Sequence, residues 1–289
     1  MKLEELSVGV TGFIDILGFG EKVKSAESLE DIEYIRSCIN KIQREFDFET
    51  KDDLVAEVQK LNSATVLAFS DCVVVNIPLE SESTKYEGSF DPIMSELAGF
   101  AYAQGNCVQE SLFIRGGLEL GWWYQDGHTL ISQSMVGAVK REESACVPVI
   151  ALCNEIYKYF SEHSHRKFYS KDFDPVKGMF RKYSSEKEEF FYIDYISICV
   201  EALDWHRSKQ QMADYRNASP DEKNEIMSLG YRENVDLWLA KHARNIEQAA
   251  SSSPNKKVQD KYIWLASYHN DIAKNYSNNS DCICSIASS

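Results

Sequence analysis

Two runs rich in β-branched residues, Ser63–Phe69 and Cys72–Ile77, are parted only by Ser70-Asp71, and this constrains the fold more than any other feature. Strands joined by so tight a polar turn form a β-hairpin. Upstream, Gly9–Ile16 (GVTGFIDI) alternates and then runs apolar, as a buried strand does, until Gly18 and Gly20 break it. An amphipathic stretch from about Glu21 to Phe46 follows, with Ile32, Ile35, Ile39 and Ile42 at helical spacing. A shorter helix over about Lys51–Leu61 leads into the hairpin. Phe90–Val108 is helical again, and Ser111–Leu120 with Gly121–Tyr124 reads as a second strand pair with glycines at its bend. The order strand, helix, hairpin, helix, hairpin predicts an α+β fold with a ferredoxin-like βαββαβ core: an antiparallel sheet with helices on one face.

Beyond the core the pattern predicts a helix near Gln133–Glu143, an apolar strand Val147–Leu152, a polar and aromatic loop through about Tyr183, and a strand Phe190–Asp194. The last hundred residues read as mostly helical: Ile196–Tyr215, then Pro220–Ala250 with Pro at a helix start, then Lys256–Tyr276. The expected organisation is a core over 1–195, a helical C-terminal extension over 196–276 packed on it, and a flexible tail over 277–289.

The charge narrows the range of partners. Against 45 Asp+Glu stand 31 Lys+Arg, a net of −14, which argues against broad binding of nucleic acid or anionic lipid through a basic surface. No apolar run approaches the roughly 20 residues needed to cross a bilayer, and the N-terminus has no signal-peptide pattern. The expectation is a soluble, cytoplasmic protein with no membrane and no nucleic-acid partner. The eight cysteines form no C-x-x-C pair, and Cys282/Cys284 with His163/His165 make a poor zinc case. Residues 1–144 hold 25 acids and 12 bases, and between Leu61 and Ile114 the sole base is Lys85. An anionic substrate bound there must rely on metal ions, backbone N–H groups or very few cations.

Asp15 closes the first strand and Asp71 sits in the hairpin turn. A βαββαβ sheet lays that strand beside the hairpin, so the two carboxylates meet across 56 residues of sequence. Facing carboxylates repel unless a proton or cation lies between them, and a hard divalent ion is the economical answer. After Asp15 the segment Ile16-Leu17-Gly18-Phe19 leads from strand into helix, where backbone N–H groups of Leu17, Gly18 and Phe19 could hold a phosphate.

Four segments then carry a resemblance. Phe13–Phe19 (FIDILGF) resembles the first metal motif of class III nucleotidyl cyclases, and Phe69-Ser70-Asp71 the second. Ile114–Gly121 (IRGGLELG) resembles their Arg-x-Gly-Ile-x-x-Gly strand, and Val136–Ser144 (VGAVKREES) the helix that runs Val-Asn-x-x-x-Arg-x-Glu-Ser. The resemblance implies a palm-type class III core acting as a head-to-tail homodimer, with active sites at the interface and two divalent ions, Mn²⁺ or Mg²⁺, in each. Carried over, the metal-binding roles fall on Asp15, Asp71 and the backbone carbonyl of Ile16. Arg141, from the other subunit, takes the role of steadying charge on the transferring phosphate.

The departures point to a branch. The two purine-reading positions of the family fall on Leu67 and Leu130, both apolar, and the helix Asn that helps place the ribose is Gly137. The pyrimidine cyclases of the Pycsar antiphage systems are similar in these respects, and Lys261–Asn270 (KYIWLASYHN) resembles their tail. That likeness implies a UTP or CTP substrate, cyclic UMP before cyclic CMP as product, and a separate effector protein activated by the product. The alternative is a catalytically silent homologue that binds a nucleotide.

Overall fold

The computed structural model describes residues 6–46, 61–127, 129–186, 188–253 and 255–286. The helix expected over Lys51–Leu61 falls, but for Leu61, outside them. Among the described residues eight strands form one sheet: β1 (Ser7–Ile16), β2 (Thr65–Phe69), β3 (Cys72–Pro78), β4 (Ile114–Asp126), β5 (Thr129–Ser132), β6 (Ile150–Leu152), β7 (Phe180–Ser184) and β8 (Glu189–Ile193). Their order is β2-β3-β1-β4-β6-β8-β7, with β5 paired to β4. Every pairing is antiparallel except β4 with β6. The first four strands therefore lie in the ferredoxin-like order, with β1 between the hairpin and β4. The fold is α+β, as the element order predicts.

Before the hairpin come α1 (Phe19–Lys24) and α2 (Leu29–Phe46); after it come α3 (Glu82–Glu87) and α4 (Phe90–Gln109). The single helix expected over Glu21–Phe46 is two, because Ser28 and Asp31 start a new one. The Asp31 carboxylate accepts from the Glu27 and Ser28 N–H groups, and Ser28 Oγ accepts from the Asp31 N–H. Phe46 of α2 and Phe100 of α4 meet at 5.6 Å between ring centroids. Phe100 also fills the space over Gly12 of β1, where a Cβ would lie 2.7 Å from its ring. These two helices cover one face of the sheet.

A further helix, α5 (Gln133–Ser144), lies on the other face. Thr11 of β1, fully buried, donates to Asn76 Oδ1 at 2.9 Å and lies 2.7 Å from Ser134 Oγ at the start of α5. Helices thus flank both faces, not one. The strand pair expected with a bend near Gly121 is a single strand, β4. Its glycines admit close neighbours rather than a turn: a Cβ on Gly117 would lie 2.1 Å from the Ala138 carbonyl oxygen of α5. The loop expected through Tyr183 instead contains α6 (Asn154–Glu162), two short 3₁₀ turns, α7 (Pro175–Met179) and β7. Alternation of aromatic and polar residues hid them, since Ile156 and Phe160 alone bury fully on α6.

The chain divides into two compact units, Met1–Cys107 with Leu112–Tyr195, and Val108–Ser111 with Ile196–Ser289. In the second, the helix expected over Ile196–Tyr215 is split into α8 (Tyr195–Glu201) and α9 (Lys209–Asn217), followed by α10 (Pro220–Ser251) and α11 (Lys256–Tyr276). Val235, Leu239 and Ile246 of α10 and Leu265 and Ile272 of α11 are buried, the apolar stripes of a helix pair.

The flexible tail expected over 277–289 is, through residue 286, folded back. Asn270 donates its amide to the Cys284 carbonyl at 2.9 Å and accepts the Cys284 N–H at 2.8 Å, as a neighbouring strand would. Cys282 and Cys284 are buried as small apolar groups. Beneath them His269 Nε2 bonds the Cys282 carbonyl at 2.8 Å, and its Nδ1 lies 3.0 Å from His242 Nδ1. A carbonyl only accepts, so His269 Nε2 carries the proton, and His242 Nδ1 donates to His269 Nδ1. Burial pushes His269 down to about 4. The unfolded chain takes up this proton near pH 6.5 and the folded chain near pH 4, so this stabilisation is complete above pH 6.5 and lost as pH falls to 4. The loss is on the order of 3 kcal/mol. Urea unfolding from pH 7.5 to 4.5 should show a steeper decline in the wild type than in His269→Gln, which keeps only the buried His242, itself held well below the ordinary imidazole value by burial.

Candidate active site

The site begins where β1 ends. The register pairs Asp15 with Cys72 of β3 on one side and with Arg115 of β4 on the other. Directly opposite residues share a face of the sheet, so the Asp15 side chain emerges beside Arg115. The hairpin turn places Asp71 one residue before Cys72, with Ser70 at φ +49° making the tight reversal. Asp71 lies near enough to Asp15 for its negative charge to raise the Asp15 carboxyl.

Burial, the Glu142 carboxylate and Asp71 together push Asp15 up to about 7, while Arg115 draws it down. Burial, followed by the charges of Asp71 and Asp15, raises the Cys72 thiol to about 11. Crowded negative charge is the dominant electrostatic fact of this corner. Three carboxylates and one guanidinium leave two formal negative charges, those that one divalent ion would balance.

Residues Arg115, Gly117 and Glu119 alternate onto the face that α5 covers. Successive residues of α5 answer them with opposite sign. Glu142, 3% exposed, pairs with the Arg115 guanidinium, and Arg141 Nη2 lies 3.6 Å from Glu119 Oε2. Between the two pairs, the bare Cα of Gly117 lets the α5 backbone sit against the strand. Gly137 has a related reason: a Cβ there would lie 2.4 Å from Glu119 Cγ. An Asn at this position would displace the Glu119 carboxylate.

The residues singled out from sequence separate into groups. Asp15 and Asp71 meet. Ile16 is buried at the end of β1, opposite Ile114 and next in the chain to Asp15. Gly18 stands exposed at φ +75° as the cap of α1, whose first residue is Phe19, and its carbonyl accepts the Lys22 N–H at 3.2 Å. Leu17 is a correction: its N–H donates to the Phe113 carbonyl at 2.9 Å and extends the β1–β4 ladder, so it is not offered to a phosphate. Arg141 faces Glu119 and not the carboxylate pair. In the sequence Arg115 and Glu142 stand only as letters of the segments Ile114–Gly121 and Val136–Ser144. The signal that finds them is charge at alternate positions of a strand whose register partner is Asp15.

Another cluster, Glu119, Cys153 and Glu155, brings its ligand atoms within 4.8 Å of one another. There burial raises the Cys153 thiol to about 12, so it stays protonated, and Glu119 is already engaged by Arg141.

No protein-family model and no curated protein matches the chain. Among solved structures, the adenylyl cyclase CyaB from P. aeruginosa is similar at 14% identity over 65% of this chain and 94% of its own, with a TM-score of 0.40. A bacterial light-regulated adenylyl cyclase is similar at 12% identity over 67% of this chain and 95% of its own, with a TM-score of 0.36. A second structure of such a light-regulated cyclase gives 14% identity over 80% of this chain and 58% of its own, with a TM-score of 0.34. Values this low assign no activity, so function must be read from this chain's own residues. None of the helices among the described residues is long and apolar enough to cross a membrane.

Proposed function

We propose that the chain is a metal-dependent nucleotidyl cyclase that converts a pyrimidine nucleoside triphosphate, UTP before CTP, to its 3′,5′-cyclic monophosphate and pyrophosphate. The observation that carries this reading is the meeting of Asp15 and Asp71 at the end of β1, where the register sets Asp15 opposite Cys72 and the Asp71 charge raises the Asp15 carboxyl. A carboxylate pair under that strain fits hard divalent cations, and oxygen donors suit Mn²⁺ or Mg²⁺. Two such ions, held by Asp15, Asp71 and the Ile16 carbonyl, would acidify the attacking 3′-hydroxyl and offset charge on the triphosphate.

The protein's own groups supply the rest. Asp15 and Asp71 orient the reacting end of the nucleotide, and the turn at Gly18 and Phe19 presents backbone N–H groups toward phosphate. Arg141, working in the partner subunit's site of a head-to-tail homodimer, stabilises charge as it builds on the α-phosphate. The ribose 3′-oxygen bonds to the α-phosphorus, the bond to the β-phosphate bridging oxygen breaks, and pyrophosphate leaves. Leu67 and Leu130 favour a pyrimidine, because neither offers the polar group that reads a purine edge. A soluble cyclic nucleotide of this kind would serve as a second messenger for a separate effector protein in antiphage defence.

Incubating the purified chain with each of the four nucleoside triphosphates and Mn²⁺ tests the proposal, with cyclic UMP the expected product by mass spectrometry. Cyclic CMP would redirect the substrate, and no cyclic product from any triphosphate would remove the activity. The filling of the Gly137 position by Glu119 favours a second reading, a nucleotide-binding homologue without turnover. Calorimetry showing metal-dependent triphosphate binding without product would select it.

A further inference from the structure

We propose that the second compact unit carries a binding site for a small phosphorylated molecule of nucleotide size. The site is the cavity of about 550 Å³ lined by His206, Arg207, Ser208, Lys209, Met212 and Arg216. All six residues lie within Ile196–Ser289, and none belongs to the carboxylate pair, so the site stands apart from the cyclase reading.

Packing on α10 fixes the cavity. The chain before α9 lies against α10 at Gly230, where any Cβ would collide with the Trp205 carbonyl oxygen. Asn234 of α10 donates its amide to the Asp204 carbonyl, and Arg207 Nη2 donates to the Glu233 carboxylate at 2.8 Å. Ser208 then caps α9, its hydroxyl accepting the Gln211 N–H at 3.2 Å. The helix carries Lys209, Met212 and Arg216 on one face, at spacings of three and four residues.

Charge identifies the occupant. Within Trp205–Arg216 three cations stand against a single acid, Asp214, in a chain of net charge −14. Asp214 accepts the Gln210 amide at 2.7 Å and does not line the cavity. Among the described residues Lys209 and Arg216 have no ion-pair partner. Lys209 also stands in the first turn of α9, at the positive end of the helix dipole, and no acid shares that turn. Like charges gathered in this way repel one another until an anion sits among them. His206 adds a buried Nδ1 with no hydrogen-bond partner, a group whose cost a bound molecule or water relieves.

Two guanidinium forks match phosphate oxygens, and three positive charges suit a group with two or more negative ones. The volume falls within the roughly 300–1,000 Å³ of small-molecule pockets, so an inorganic ion alone would leave most of it empty. The half-buried Met212 on the same helix face offers apolar contact to the organic part.

Calorimetry on the full chain in EDTA, with ADP, inorganic pyrophosphate and citrate as probes, tests the site. Chelation removes the metal bridge at Asp15 and Asp71, so the heat reports on this cavity. ADP should bind with a Kd below about 1 mM, more tightly than pyrophosphate and citrate. Lys209→Gln and Arg216→Gln should each weaken ADP by about tenfold or more, with the unfolding midpoint unmoved because both side chains are exposed. Asp71→Asn should bind ADP as the wild type does. Absence of ADP binding, wild-type affinity in both Gln variants, or loss of binding in Asp71→Asn would overturn the proposal. Citrate binding as tightly as ADP would overturn the phosphate assignment, and pyrophosphate doing so would overturn the nucleotide size. No turnover enters the measurement, so failure of the chain to cyclise any triphosphate leaves this result standing on its own.

Discussion

Asp15→Asn should lower turnover by on the order of a thousandfold or more and, in the absence of metal, stabilise the chain at pH 8. The two effects have one cause. Asp15 is raised to about 7 by burial, Glu142 and Asp71, so its charged form is disfavoured in the folded state. The unfolded chain loses this proton near pH 3.8 and the folded chain near pH 7. Between those values the folded state binds more protons, and stability falls as pH rises. At pH 8 the full penalty is present, on the order of 2 kcal/mol once solvent access to a quarter-exposed carboxylate is allowed for. Asn removes the charge and with it the penalty. Mn²⁺ should raise the unfolding midpoint of the wild type at pH 8 and leave that of Asp15→Asn unmoved, because only the wild type binds it. An Asp15→Asn protein that still turns over, or gains nothing in stability at pH 8, would show that this corner is not a metal site. The sign is opposite to that of His269, so one variant at each position separates the two contributions to the pH profile.

Mixing two inactive variants should restore activity. Within one chain Arg141 faces Glu119, whose register partner Thr11 lies four residues before Asp15, about 13 Å along the strand. An arginine so placed suits the partner subunit's site in a head-to-tail pair better than its own. Asp71→Ala should lose activity as Asp15→Asn does, and Arg141→Ala should lose on the order of a hundredfold. A heterodimer of the two carries one site with both defects and one with neither. After random exchange half of the dimers are mixed, and about a quarter of wild-type activity should return. No recovery, with heterodimers verified by native mass spectrometry, would count against shared sites.

The parts of the fold legible from sequence were those fixed by local spacing. A two-residue polar turn between β-branched runs leaves few alternatives to a hairpin, and β2 and β3 formed as read. The helix over Lys256–Tyr276 also formed as read, because its apolar stripe repeats without interruption. Where two local signals competed, the expectation failed. Glycines at 116, 117 and 121 looked like a bend, but they answer to close contacts with β1 and α5. The polar residues after Tyr276 looked disordered, but Asn270 on α11 supplies both hydrogen bonds that Cys284 needs.

The candidate site divides in the same way. Asp15 and Asp71 were legible because chain order alone brings β1 beside the hairpin. By itself the sequence determined the strand order of the core, the meeting of those carboxylates, and the shortage of cations that makes metal the natural bridge. Only the tertiary structure decided what surrounds them. It assigned the Leu17 N–H to the sheet, turned Arg141 away from Asp15, and set Glu142 and Arg115 against each other beside it. The physical reason is range: turns and periodic stripes are written within a few residues, whereas an ion pair between β4 and α5 depends on a packing contact at Gly117 that no local pattern records.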